Sequence, residues 1–340
     1  IPSIGHAGYN NQMPKSPVIS NDGEIQGNPP KRMPDFFIVG APKCGTTTLV
    51  ESLNNHPEVW SPTREMNPFD FDWLYGRPDW ATESARESLR MKWYSKLFEQ
   101  ISESMAAGEY SSGQYFYSPH AANSIARTFP DTKILIMLRD PVDRAFSDYW
   151  HGVRSGRINA KAPLTVSLLS EAGILERSSY SAPVARYQDA LGSAQIKIVL
   201  LEDVMADPTG ALRTVCDFLG VDTSNQHLRP AWHNKGLYPS SFIFQSLFYR
   251  LGRTARPLRY ASSFDQPVTS WLYRNTMITC YKSIRKLHRN LNMWRKTKPQ
   301  MDPQMRHELS DLLRDKNSDL QALLNRNLED VWPTFSNHCA

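Results

Sequence analysis

Between Phe36 and Leu49 the chain reads FFIVGAPKCGTTTL, and Lys43 is the single charge in that stretch. A lysine in a turn of small residues that opens a helix has one obvious use. Backbone N–H groups and the positive end of the helix converge on one point, where a phosphate or sulfate would sit. Gly40 and Gly45 keep the spacing of the triphosphate-binding pattern G-x-x-x-x-G-K-[ST], but Thr46 stands where that pattern has its Lys. The triphosphatase reading therefore fails, and a kinase of that kind loses its first requirement. Cys44 reads two ways: a thiolate favoured by Lys43 and the helix terminus, or a small residue filling a turn.

Two further groups carry chemistry. In KILIMLRDPVDRAFSDY, Lys133 to Tyr149, Arg139 closes an apolar run, while Asp140, Arg144 and Ser147 recur at helical spacing and share a face. Arg139 and Ser147 could grip a second anion; alternatively Arg139 and Arg144 pair with Asp140 and Asp143. Glu65 follows Arg64 and precedes Phe69 and Phe71, so partial desolvation could raise its pKa toward the range of a general base. Arg64 and Glu65 read equally as a solvated loop pair.

The elements that must position these groups follow from hydrophobic pattern. Phe36 to Val39 is a strand buried on both faces, and Thr46 to Thr48 lead into a helix carrying Leu49, Val50 and Leu53. That helix ends near Asn54, because Pro57 pushes its predecessor out of the helical region. His56, beside it, reads as structural. Val59 and Trp60 form a short strand, and the stretch 78–106 reads as polar helices. Ile134 to Leu138 is another buried strand, followed by Asp140 as a cap and Pro141 at the first helical position. Ile196 to Leu201 is a third, running into Glu202 and Asp203. Asp207-Pro208 opens a helix with the stripe Leu212, Val215, Cys216 and Leu219, ended by Gly220. Strands each feeding a helix predict an α/β fold, a largely parallel central sheet flanked by helices, with ligands at the carboxyl ends of the strands.

Composition narrows the class. The chain has 340 residues, 40% hydrophobic and 21% charged, enough for one large core. Residues 1–34 are rich in Pro, Gly, Asn and Ser and read as an extended or disordered leader, leaving 35–340 as a single domain. The four cysteines lack C-x-x-C spacing, so neither a disulfide scaffold nor a structural zinc is expected. No apolar run reaches the roughly 18 to 20 residues that cross a bilayer. The chain begins at Ile1 rather than Met, so a signal or membrane anchor could precede it. Net charge is +5, but unevenly spread: from Arg250 to Lys298 twelve Lys or Arg face one acid, Asp265, so that segment carries +11 and the rest −6. Such segregation points to a polyanionic partner, with Arg285, Lys286 and Arg289 as candidates along its groove. The alternative is a solvated or membrane-proximal amphipathic helix. No nucleic-acid-binding motif accompanies the charge.

The P-K-x-G-T-T loop, the R-D-P-x-x-R-x-x-S segment, and a basic residue with Glu and aromatics about 20 residues after the Lys together resemble the Golgi carbohydrate sulfotransferases. The likeness is strongest to N-acetylgalactosamine 4-sulfate 6-O-sulfotransferases and the heparan sulfate enzymes, over about Asp35 to Gly220. It implies a P-loop-like fold, no metal, and PAPS (3′-phosphoadenosine 5′-phosphosulfate) as donor with PAP as product. Pro42, Lys43, Cys44, Gly45, Thr46 and Thr47 would hold the 5′-phosphosulfate, and Arg139 and Ser147 the 3′-phosphate. Lys235 and Gly236 would belong to a loop closing over the nucleotide, although Leu237 replaces that loop's Arg. Lys43 and Glu65 would be catalytic, with Arg64, Glu109 and Tyr110 bordering the acceptor cleft. The implied acceptor is a sulfated or uronate-bearing glycan, and the implied site the Golgi lumen, as a type II membrane protein with its anchor upstream. Non-catalytic nucleotide or anion binding is the competing reading, under which Glu65 has no task.

Overall fold

The structure is a computed structural model that describes residues 32–63, 65, 98–99, 101–155, 157–159, 161–224, 227–228, 230–231, 238–247, 283, 286 and 299–336. The chain divides into two units, one of Ile1–Met33 with Pro78–Gln100 and one of Pro34–Arg77 with Ile101–Ala340. Nearly all of the first lies outside the described residues, as do most of the expected leader and most of the polar stretch 78–106.

In the second unit five strands form one sheet in the order β2-β3-β1-β4-β5, every pairing parallel. They are β1 (Phe36–Gly40), β2 (Val59–Trp60), β3 (Ala106–Tyr110), β4 (Lys133–Leu138) and β5 (Ile196–Leu200). β1 is central and every residue in it is buried, as its unbroken apolar run requires. The register pairs Phe37 with Ile134 and Ile38 with Leu135, then shifts so that Gly40 faces Ile136. This shift lies just before the Lys43 loop. β5 ends at Leu200, so Glu202 and Asp203 belong to the first turn of the next helix rather than to the strand.

β3 is not legible as a strand, since AAGEY has neither an apolar run nor β-branched residues. Its place is set by β1. Phe36 lies opposite Gly108, and a Cβ there would come within 2.2 Å of the Phe36 ring. Glycine at 108 is what lets the two backbones pair with that ring between them.

Helices flank the sheet: α1 (Thr46–Asn54), α2 (Ala121–Thr128), α3 (Pro141–Arg154), α4 (Val166–Glu171), α5 (Ser181–Leu191), α6 (Leu201–Ala206), α7 (Pro208–Leu219), α8 (Pro303–Asp315) and α9 (Leu320–Leu324). The expected boundaries of α1, α3 and α7 hold, with Asp140 and Asp207 capping the latter two and Gly220 closing α7 at φ 83°. α1 packs on α7, α2 on α5, and α3 on α8. A hydrophobic cluster between α3 and α8 is built on Phe146, Tyr149, Trp150, Val153, Leu309 and Leu313, all buried. His56 is structural, as read: its Nδ1 accepts from Glu58 N–H at 3.1 Å and its Nε2 donates to the Asp222 carbonyl at 2.7 Å.

Candidate active site

The loops after β1 and β4 lie side by side at the point where the chain, having built β2 and β3 on one side of β1, crosses to the other. That is where ligands collect in open parallel sheets. Ala41 N–H donates to the Met137 carbonyl at 2.6 Å, fastening the first loop to β4.

In the first loop Lys43 has φ 74° and Gly45 φ 91°. A left-handed conformation costs a non-glycine residue of order 1–3 kcal/mol, so something beyond local preference holds Lys43 there. Part of the answer is Arg144 on α3. Its side chain is wholly buried, and its Nε donates to the Pro42 carbonyl at 3.2 Å, bracing the loop from below. The same guanidinium donates to Ile174 O and Ser178 Oγ, both at 3.1 Å, and to Asp148 Oδ2 at 2.8 Å. Asp148 also pairs with Arg177 at 3.0 Å and Arg157 at 3.6 Å. Burial alone would raise its carboxyl, but the three guanidiniums outweigh that and hold it at about 2. Arg144 therefore pairs with Asp148, not with Asp140 or Asp143.

This arrangement sets the charge around Lys43. Burial first, then Arg154, Arg144 and Arg157, pull its amine down to about 8, with Asp148 the acid that opposes them. His151, on the same face of α3, is pushed down to about 3 by burial and by Lys43, Arg157 and Arg154. It is neutral at pH 7. Sequence reasoning missed His151, Arg154, Arg157, Arg177 and Asp148. The first, second and last had a signal, because Arg144, Ser147, Asp148, His151 and Arg154 recur every three or four residues along α3.

α1 begins at Thr46 with no side-chain cap hydrogen bond at Gly45. Tyr110 reaches from the end of β3 to this turn, its hydroxyl 3.3 Å from Thr46 Oγ1 and 3.2 Å from Thr47 Oγ1. Tyr110 is thus brought to the anion loop. Glu109, its neighbour, is fully buried and accepts from Ser111 Oγ at 2.9 Å, so it offers no surface to an acceptor. Cys44 is also fully buried, and burial raises its thiol to about 11; it fills the turn and is no thiolate.

Glu65 is exposed and lies over the residues that follow β3, where Ser112 Oγ donates to its Oε1 at 2.5 Å. A Cβ at Gly113 would sit 3.3 Å from Oε2, so the glycine keeps that oxygen uncrowded. Ser111 N–H donates to the Ile38 carbonyl at 3.1 Å, which ties this segment to β1 just before the Lys43 loop. Arg139, at the end of β4, lies 3.5 Å from Asp143, and Ser147 is half-buried two turns into α3. Tyr180 links the two loops, donating to the Arg139 carbonyl at 3.0 Å with Cys44 Sγ 3.7 Å away. Lys286 is exposed. Arg64, Lys235, Gly236, Arg285 and Arg289 lie outside the described residues.

Comparison with known proteins agrees with this geometry. Residues 34–225 match the Sulfotransferase family. Mouse heparan sulfate glucosamine 3-O-sulfotransferase 3B1 is 28% identical over 229 residues, 64% of this chain and 55% of that protein. Its 3A1 counterpart in mouse is 30% identical over 199 residues, 56% of this chain and 47% of that protein. The chain thus spans about half the length of these curated relatives. A crystal structure of a sulfotransferase from Alicyclobacillus acidocaldarius aligns over 88% of this chain and 98% of its own, with 27% identity and a TM-score of 0.55. With its match covering more than half of its length and its parallel sheet carrying the Lys43 loop, this chain belongs to the sulfotransferase family.

Proposed function

We propose that this chain transfers the sulfuryl group of PAPS to a hydroxyl of a glycosaminoglycan-like carbohydrate, with residues 35–340 as one catalytic domain. The observation that carries the reading is Lys43: an amine held in a left-handed turn, among three guanidiniums, at an uncapped helix start. Such a surplus of positive charge calls for an anion, and a bisphosphate donor fits it. When bound, PAPS supplies an activated sulfuryl group on a phosphate leaving group.

The protein's part is positioning and electrostatics, as in phosphoryl transfer. Lys43, with the first N–H groups of α1 and the Thr46 and Thr47 hydroxyls, would neutralise charge growing on the 5′-phosphate side. Arg139 and Ser147 would hold the 3′-phosphate, with Lys235 and Gly236 closing over the nucleotide. Glu65, steadied through Oε1 by Ser112, would take the acceptor's proton on its other oxygen. Arg64 and Tyr110 would border the acceptor. The names of the relatives favour a heparan-type glycan, and the basic run from Arg250 to Lys298 suits a sulfated or uronate-bearing chain, with Arg285, Lys286 and Arg289 along it. Residence in the Golgi lumen, behind an upstream anchor, belongs to the same proposal.

The test is a radiolabelled PAPS assay over a panel of glycans, run beside thermal titrations with PAP and with ATP plus magnesium. Transfer to a glycosaminoglycan and stabilisation by PAP are expected, and Lys43→Ala should lower turnover roughly 100- to 1,000-fold in a folded protein. Stabilisation by ATP alone, or wild-type turnover in Lys43→Ala, would overturn the reading.

A further inference from the structure

Asp143 lies in the first turn of α3, four residues after Arg139, and two guanidiniums share its carboxylate. Oδ1 takes Arg306 at 2.7 Å, while Oδ2 lies 3.5 Å from Arg139. The first contact is a short, charge-assisted hydrogen bond; the second is at the far edge of hydrogen bonding. All three side chains are partly exposed, Arg139 at 19%, Asp143 at 31% and Arg306 at 33%, so a solute can reach them.

Arg306 comes from α8, 163 residues further along the chain. Asp302 sets its place: the Asp302 side chain caps α8, accepting from Gln304 N–H at 2.9 Å and Met305 N–H at 3.2 Å, and its carbonyl takes the Arg306 N–H at 3.0 Å. Leu309 and Leu313, on the same helix, are buried in the cluster with α3. A helix dipole does not favour a cation in its opening turn, so the reason for Arg306 lies across the interface, at Asp143. Arg139 is held differently. Its carbonyl is fixed by the Tyr180 hydroxyl at 3.0 Å, but its guanidinium has only the long contact with Asp143 to steady it against that helix. Arg139 and Asp143 together are a neutral pair, from which an incoming anion gains little. Arg306 makes the triplet net +1 and takes the carboxylate's short bond, leaving the Arg139 guanidinium to turn to a phosphate.

We infer that Arg306 is a positioning residue for the donor: by holding the Asp143 carboxylate, it makes Arg139 available to the 3′-phosphate. The inference rests on the assignment of Arg139 to that phosphate in the proposed function. It gives α8 a task in donor binding that runs through Asp143 and needs no contact between Arg306 and the ligand.

Calorimetric titration of the full chain with PAP and with adenosine 5′-phosphate, which lacks the 3′-phosphate, tests this. Wild type should bind PAP the more tightly of the two. Arg306→Ala should weaken PAP roughly tenfold and adenosine 5′-phosphate by less than about twofold. Alanine is a good helix former and the position is partly exposed, so the fold should survive, as melting temperatures of the same samples would show. Arg306→Lys, which keeps the charge, should lose less than Arg306→Ala. Adding Asp143→Asn to Arg306→Ala removes the carboxylate that Arg306 held, and should return PAP affinity to within about threefold of wild type. A merely structural role for Arg306 gives no such rescue. Unchanged PAP affinity in Arg306→Ala overturns the inference, as does an equal loss for both ligands. A loss that persists in the double variant overturns it too, because Arg306 would then meet the phosphate itself. A wild type that binds the two ligands equally overturns the placement of Arg139, and this inference with it. Wild-type preference for PAP alongside an inert Arg306→Ala overturns this inference alone and leaves the sulfuryl-transfer proposal standing.

Discussion

Two strand-to-helix junctions lie side by side at the centre of the sheet, and they use the same topology in opposite ways. Between β1 and α1 the turn is left-handed at Lys43 and Gly45, and the helix start has no side-chain cap. Between β4 and α3 the helix start is closed by its own sequence. Asp140 Oδ1 accepts from Asp143 N–H at 2.9 Å, Pro141 has no N–H to offer, and Asp140 Oδ2 takes the Thr334 N–H at 3.0 Å. The Asp140 N–H in turn goes to Glu202, whose other oxygen accepts from the Trp332 indole at 2.8 Å. One junction has no side-chain cap at its helix start; the other is a structural knot that ties in the C-terminal segment. Any grip on an anion at the second junction must come from side chains, Arg139 and Ser147, because its helix terminus is already occupied.

Arg144 joins the junctions, so its removal should have the largest effect. Arg144→Ala leaves Asp148 buried with partners only on its exposed side and frees the Pro42 carbonyl. We expect a loss of about 3–5 kcal/mol, measured by urea unfolding. A loss below about 1 kcal/mol would mean that the open loop does not lean on α3. The next test addresses the open side alone. Glu65→Gln should cut turnover roughly 100-fold while PAP affinity stays put. If affinity falls as far as rate does, Glu65 is a binding residue.

Lys43 then supplies a pH signature that the closed junction lacks. In the free protein its amine is held at about 8. A bound phosphate raises that value, so PAP binding takes up a proton once the free amine has lost its own. Affinity should therefore be flat between about pH 7, where the phosphates are already ionised, and pH 8, and fall by up to about tenfold per pH unit above that. Lys43→Met should abolish the slope, and a slope that survives in the variant would place the titrating group elsewhere. The smallest effect on the ligand belongs to the closed junction. Asp140→Ala removes a helix cap and also leaves the buried Thr334 N–H without its acceptor, so it should cost about 2–4 kcal/mol in unfolding free energy, with PAP affinity unchanged. A matching loss of PAP affinity would show that the second helix start serves the ligand after all.

By itself the sequence determined what local chemistry determines. Strands β1 and β4 are continuous apolar runs, α3 and α7 open on Asp-Pro pairs, and Gly220 closes a helix, so the alternation of strand and helix could be read in order. The P-K-x-G-T-T loop, lying between such a strand and helix, carried the family resemblance, and the basic run from Arg250 to Lys298 was plain as composition. Tertiary structure decided the rest, because those outcomes depend on partners far away in the chain. β3 pairs beside β1 only because Gly108 makes room for a phenylalanine ring 72 residues earlier. Arg144 looked like one more helical charge until its acceptor proved to be Pro42, 102 residues back. Lys43 reads as an ordinary cation in sequence. Its pKa is lowered first by burial and then by Arg154 and Arg144, which α3 carries to it, and both causes exist only once distant segments share one buried space.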